Sequence, residues 1–434
     1  MAAAVVALGL AAPVAAVDLG EVYDLALQND PTYLAVGAGN RAAQELRPQA
    51  RAALLPTIQF SGSTSGVESE RRRPVRGTIR PSFNTNSMEL SIAQPIYRKD
   101  LWIALGQAND LIRRSDIGLA SARQSLMLRV ASRYFAVLQA IDELSFARAT
   151  LEAFQQQLTQ SQQRFEVGLI AITDVEEAQA GYDRARADVI LAENQLDTAR
   201  EALREVTGEY HETLAPLGTA MPLVTPDPPD IEAWTRTALA QNLALAAAQV
   251  STEVARDEIR RREAGHLPTL DLVASHQRNI TNSPINLAPS DLWTSSIGLQ
   301  LNVPIYQGGA VLSRTRESRH LHRQTLDELE LARRAAQRQT RQAYLGVESG
   351  ISRVQALEQA VRSAQSAKDA IEAGFQVGTR TTVDVLDAER AVFGARRDLA
   401  VARYGYIVDI LSLKQAAGTL SEEDIELVNT WLER

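Results

Sequence analysis

Asp384 and Asp387 stand three residues apart at the head of a segment with helical spacing, which puts their carboxylates on one face. Asp174 and Glu177 hold the matching places in an earlier segment. Just before the later pair, Gly378-Thr379-Arg380 supplies a guanidinium suited to bidentate pairing with a neighbouring carboxylate. Two roles are open to such acids. In a first helical turn they complement the helix dipole. Repeated around an axis, as in a symmetric trimer, Asp384 and Asp387 would form a ring that attracts cations and repels anions.

No bond-making chemistry competes with these readings. The sequence has no Gly-rich phosphate loop, no catalytic triad and no cysteine at all, so no catalytic residue, cofactor or metal is expected. His320 and His322 lie two apart, hence on different helix faces, which suits metal binding badly. A net charge of −8 gives no support for nucleic-acid binding, which normally needs a basic face. Lack of cysteine is compatible with an oxidising compartment without disulfides, and it leaves no thiol for an N-terminal lipid. The first 16 residues, M-A-A-A-V-V-A-L-G-L-A-A-P-V-A-A, read as the apolar part of a secretory signal with small residues at a cleavage site after Ala16.

The acids belong to a repeat that spans the chain. F-E-V-G-L-I-A-I-T-D-V around Phe165 returns about 210 residues later as F-Q-V-G-T-R-T-T-V-D-V around Phe375. Thus Phe165, Val167, Gly168, Asp174 and Val175 recur as Phe375, Val377, Gly378, Asp384 and Val385. The flanks keep register: Pro56 with Pro268, Pro95 with Pro304, Tyr134 with Tyr344, Gly208 with Gly418. Each half predicts a short helical lead, two strands, a very long helix, a Val-Gly turn and a second helix. Such a duplication argues for one pseudo-symmetric body with interleaved regions.

Thr57 to Val67 and Asn84 to Gln94 read as paired strands, and Met88, Leu90 and Ile92 alternate with polar neighbours. In the second half Trp293, Ile297, Leu299, Leu301 and Val303 share one parity, opposite Ser296, Gly298, Gln300 and Asn302. Period two marks a half-buried strand, and ten-residue length with a polar alternate face also fits a membrane β-barrel. Four strands cannot close a barrel, because small barrels start at about eight. The chain must make a sandwich or share a barrel among protomers. The stretch Glu68 to Ser82, with Arg71, Arg72, Arg73, Arg76 and Arg80, reads as a solvated loop more plainly than as a contact for anionic headgroups.

From Lys99 to about Arg164 the absence of proline predicts a helix of ~65 residues, roughly 100 Å long at 1.5 Å per residue. Apolar and small residues follow coiled-coil spacing through Leu101, Leu105, Ala108, Ile112, Ser115, Leu119, Ala122 and Leu126, and again from Leu144 to Phe165. The return helices are expected over Asp174 to Glu205 and Asp384 to Gln415. No run reaches the ~18–20 apolar residues of a transmembrane helix. A soluble coiled-coil rod bearing a small β-sandwich accounts for helices and strands alike and is the rival reading; the strands and the secretion signal favour a membrane duct over it.

The long strings F-E-V-G-L-I-A-I-T-D-V, H-L-P-T-L-D-L, V-P-I-Y-Q-G-G and E-A-G-F-Q-V-G-T-R-T-T-V-D-V-L-D-A give a chain that resembles the TolC family of trimeric outer-membrane exit ducts of Gram-negative bacteria. The resemblance implies an α+β, internally duplicated fold, in which three protomers share a twelve-stranded outer-membrane β-barrel continuous with a periplasmic α-helical coiled-coil barrel. On that reading 1–16 is a signal remnant, 17–53 the first equatorial and barrel helices, 54–98 and 267–306 the β-hairpins. Segments 99–208 and 307–417 are the coiled-coil hairpins, 209–266 an equatorial segment with its helix, and 418–434 an equatorial tail. The belt would draw on Asp18 to Asn29, Thr213 to Ile231 and the tail after Gly418. The resemblance further implies a passive homotrimer, not an enzyme, sitting in outer-membrane lipid. It would open on docking of a periplasmic adaptor and an inner-membrane transporter, exporting drugs or proteins by efflux or type I secretion. The family's entrance ring maps onto Asp384 and Asp387, and its closing links onto Thr173, Asp174, Arg380 and Phe375. Phe375 departs from the family's tyrosine, which removes a hydroxyl whose hydrogen bond would contribute about 0.5–1.5 kcal/mol. Glu177 adds an acid where a neutral polar residue is expected.

Overall fold

The computed structural model describes residues 16–73, 77–80, 82–218, 221–282 and 290–433. The signal remnant, apart from Ala16, and Arg76 lie outside the described residues. The described residues form two compact units, each drawing on both repeats: those within 16–38, 118–246 and 332–433 in one, and those within 39–117 and 247–331 in the other.

The second unit holds the strands. β1 (Thr57–Glu68), β4 (Ser82–Tyr97), β5 (Thr269–Thr281) and β6 (Ser290–Asn302) make an antiparallel sheet in the order β1-β4-β5-β6, with β2 (Arg71–Arg73) and β3 (Gly77–Ile79) paired separately. Register settles which side chains share a face. Ile58 opposes Ile92, and Phe60 opposes Leu90. Ile92 opposes Ala274, which opposes Ile297, and Leu272 opposes Leu299. Ser63 and Ser87, on the other face, meet hydroxyl to hydroxyl at 2.8 Å. Alternation along the chain therefore becomes one apolar and one polar face across the sheet. The apolar face is open: Phe60 is 69% exposed and Ile297 76%. Among the described residues the outer edges of β1 and β6 have no strand partner. Trp293, with Arg278 over its ring at 4.8 Å, marks one end of the apolar band, and exposed Tyr97 and Tyr306 mark the other.

The stretch 68–82 differs from the expected loop. Arg71 pairs with Ile79 and Arg73 with Gly77 in the ribbon β2–β3, and Arg80 bonds Glu70 at 3.2 Å. A run of arginines carries no apolar alternation, so a ladder held by backbone hydrogen bonds left no trace in the side-chain pattern.

Helices supply the rest. α1 (Leu19–Asn29), α2 (Pro31–Gln44) and α3 (Leu46–Ala52) lead into the first hairpin, and α6 (Ile231–Gln241) and α7 (Leu243–Glu263) into the second. The long helices are α4 (Lys99–Glu166, 68 residues) and α8 (Ala310–Gln376, 67 residues), followed by α5 (Ile172–Thr207) and α9 (Thr382–Ala417), 36 residues each. α10 (Glu422–Asn429) completes the set. α5 and α9 both stop at a glycine in the left-handed conformation, Gly208 and Gly418. At Gly418 a Cβ would lie 2.2 Å from the Gln241 carbonyl oxygen, so no other residue fits there.

The core of the first unit gathers on the repeated tyrosine and its neighbours. Tyr134 is fully buried and donates to the carbonyls of Ala215 at 2.8 Å and Val17 at 3.2 Å. Around it pack Leu19, Val22, Phe135, Tyr404 and Ile425. The Tyr406 hydroxyl donates to the Val224 carbonyl at 2.8 Å and accepts from the Val224 N–H at 2.6 Å. Short bridges join Val17 to Leu214 and Leu217 to Leu432. The three segments expected to form a belt, at 18–29, 213–231 and after 418, therefore converge on α4 and α9. Two rings whose hydroxyls bond backbone groups of these segments hold them there.

Candidate functional site at the helical turns

The two Val-Gly turns share one backbone. After α4, the Gly168 N–H bonds the Phe165 carbonyl at 2.8 Å and the Leu169 N–H bonds Arg164 at 2.9 Å. After α8, the Gly378 N–H bonds Phe375 at 3.1 Å and the Thr379 N–H bonds Gly374 at 2.9 Å. This is the double-bonded C-terminal cap that needs a left-handed residue, supplied by Gly168 at φ 76° and Gly378 at φ 81°.

Side chains then distinguish the turns. Asp384 accepts from the Thr381 N–H at 2.8 Å and the Thr381 hydroxyl at 2.9 Å, while its own N–H bonds that hydroxyl at 3.3 Å. These bonds make a capping box. The Thr381 backbone N–H, then its hydroxyl, hold the Asp384 carboxyl below the usual carboxylate range, so it stays ionised at neutral pH. Asp387 is exposed and pairs with Arg390 at 3.3 Å. In the first turn Asp174 accepts from the Ala171 N–H at 3.3 Å, but alanine offers no hydroxyl in return. Thr173 and Glu177 are exposed.

Arg380 is exposed and forms no ion pair among the described residues; its stem lies against Gly374, where a Cβ would be 2.8 Å from the Arg380 Cγ. Phe375 is half-buried, with the Arg164 guanidinium 4.6 Å from its ring centre. Its repeat counterpart Phe165 is exposed, although the coiled-coil spacing placed it on the apolar seam. Val167, Leu169 and Val377 project from the tips, with Leu169 72% and Val377 76% exposed. Sequence reasoning passed over Gly181 and Arg390, while Phe154, expected on the apolar seam between Leu144 and Phe165, is buried there. The Arg390 guanidinium lies 4.5 Å over the buried Phe154 ring, and a Cβ on Gly181 would come within 2.4 Å of it. Among the described residues no group of three or more His, Asp or Glu side chains could hold a metal, and no helix is long and apolar enough to cross a membrane.

Known proteins match this architecture along nearly its whole length. The family model for outer membrane efflux proteins matches residues 22–209 and 234–419, one repeat each. Outer membrane protein TolC of Vibrio cholerae is 40% identical over 425 residues, covering 98% of this chain and 95% of the relative. Alkaline protease secretion protein AprF of Pseudomonas aeruginosa is 32% identical, covering 95% and 87%. The crystal structure of the Campylobacter jejuni CmeC outer membrane channel superposes with a TM-score of 0.80 at 15% identity, covering 96% of this chain and 90% of that one. With its duplicated hairpins, open-faced sheet and paired turns, the chain belongs to the outer membrane efflux protein family.

Proposed function

We propose that three copies of this chain assemble into one passive outer-membrane duct, entered through the helical turns and opened when partner proteins dock there. The observation that carries the reading is the four-stranded sheet with one exposed apolar face and two unpartnered edges. Two copies would give eight strands, a barrel whose interior side chains fill; three give twelve, enough to leave a water-filled lumen. Aromatic residues at both ends of the apolar band fit the girdles of such barrels. As a family member the chain is an outer-membrane exit duct for efflux and type I secretion, and not an enzyme. The soluble-rod reading falls with that membership.

The partners are a periplasmic adaptor and an inner-membrane transporter, and the cargo is drugs or proteins. Asp384 and Asp387 form the acidic ring of the entrance, with Glu177 as an additional acid. Thr173, Asp174, Arg380 and Phe375 lie where hairpins meet, and Arg380, which forms no ion pair among the described residues, reaches an acid of the next copy. The sequence has no cysteine, so introduced thiols cross-link without background. A cysteine in β1 together with one in β6, scanned along both strands, is expected to trap covalent trimers that conduct in planar bilayers. Dimers, or conducting protein that never cross-links between these edges, would overturn the assembly.

A further inference from the structure

Both ring–cation contacts near the turns join one repeat to the other. Arg164 on α4 covers Phe375 on α8, and Arg390 on α9 covers Phe154 on α4. At the lower contact Phe375 stands next to the last residue of α8, and Arg164 lies in the last turn of α4. At the upper contact Phe154 is 1% exposed, backed by Gly181 and packed with Ala185 and Leu386. Arg390 is tied at its other side to Asp387. Each contact is therefore an arginine of one hairpin on a phenylalanine of the other, with the sense reversed between them.

The repeat makes these contacts one-sided. Phe154 and Arg164 correspond to Ala364 and Gly374, while Arg390 and Phe375 correspond to Ala180 and Phe165. Moved by one repeat, the upper contact becomes alanine on alanine and the lower one glycine beside phenylalanine. In a pseudo-symmetric ring the seam inside each chain carries both contacts, and the seam between chains, built from the counterpart residues, carries neither.

We infer that Arg164–Phe375 and Arg390–Phe154 form a two-point cation–π lock that holds the two hairpins of each chain together in the resting duct. The lock rests on the duct reading above for its role in gating. Its energy comes from the ring face, so the hydroxyl that Phe375 lacks is not needed for it, and Arg164 does the holding. A cation over a ring faces little competition from salt compared with an exposed ion pair, so the intra-chain seam stays shut at ionic strengths that screen carboxylate contacts.

The test uses the full-length trimer in planar bilayers, with hydrogen exchange of the last turn of α8 measured on the same protein in detergent. Arg164→Gln and Phe375→Leu are each expected to raise resting conductance or open time, and to speed exchange, by about two- to fivefold, the equilibrium shift of one exposed ring–cation contact. The double variant should match the singles rather than multiply them, because the two residues share one contact. Phe375→Trp should keep the closed state, and Phe165→Leu, at the unlocked counterpart, should change nothing. Wild-type values for Arg164→Gln in both measurements, or effects that multiply in the double variant, would overturn the lock. Wild-type protein that never conducts would strike the duct reading instead, while the exchange cycle would still decide whether the contact exists.

Discussion

The two turns have the same backbone and different equipment, and the difference separates what the duplication keeps from what it gives up. Both end a long helix on a left-handed glycine within a double-bonded cap. The first then presents Leu169 and Ile172 to solvent and starts its return helix without a side-chain cap, since Ala171 has no oxygen to offer. The second presents Thr379 and Arg380 and starts on a full capping box between Thr381 and Asp384. Backbone geometry fixes where each hairpin turns. Beyond the exposed valine that both tips carry, side chains add apolar residues to one tip and polar and charged ones to the other, with a carboxylate whose direction is set by its own cap.

If this division of labour is right, removing acids should matter on one side only. Asp384→Ala with Asp387→Ala is expected to abolish the cation preference of single channels, a several-fold change in permeability ratio, while Asp174→Ala with Glu177→Ala leaves it in place. Reversal potentials across a salt gradient measure both, and equal losses would erase the distinction. A shared backbone predicts the opposite pattern for the glycines. Gly168→Val and Gly378→Val should each destabilise their turn by about 1–2 kcal/mol, the cost of a left-handed conformation for a residue with a Cβ. Exchange rates of the flanking amides would check this, and a twofold difference in free energy between the sites would show that the turns are not equivalent.

A smaller effect comes from the caps. Thr381→Ala should lose about 1 kcal/mol of protection in the first turn of α9, and Ala171→Thr should gain a similar amount in α5 by completing the box with Asp174. The smallest expected change is with pH. The Asp384 carboxyl lies below its ordinary value of 3.8, because the Thr381 N–H and hydroxyl favour its charged form. A depressed folded-state value gives stability that is complete above the unfolded value and lost only as pH falls through the folded one. Amide protection at Thr381 should therefore stay flat from neutral pH down to about pH 5 and weaken only below about 4. A titration midpoint near pH 6 would mean that the acids crowd one another instead.

Much of this was legible in sequence because it repeats. Gly168 and Gly378, and Gly208 and Gly418, hold the same places in both halves and meet the same need for a left-handed residue, and Tyr134 and Tyr344 are both buried. Strand parity was legible in β4 and β6, where one face is apolar and the other polar. What could not be read are contacts that join the halves at unlike positions. Arg164 on Phe375 and Arg390 on Phe154 have no echo elsewhere in the chain, and nothing in local spacing links residues more than two hundred apart. The Asp384 cap was legible as one of two roles for a first-turn acid; the Arg390 partner of Asp387 was not, because a pair three residues apart along a helix competes with every other use of an exposed arginine.

The free edges of β1 and β6 also set terms for how the molecule is made. A lone chain presents two long rows of unsatisfied N–H and C=O groups beside a bare apolar face, the very template that recruits stray strands. Natural safeguards such as a short edge strand are missing here, as β1 runs for 12 residues and β6 for 13. In the three-copy assembly proposed above, maturation of this protein is a race between finding two siblings and pairing with the wrong neighbour. Its yield would then rise or fall with synthesis rate and with escorts that cover the edges in transit, and its stability would be tied to the concentration at which copies meet.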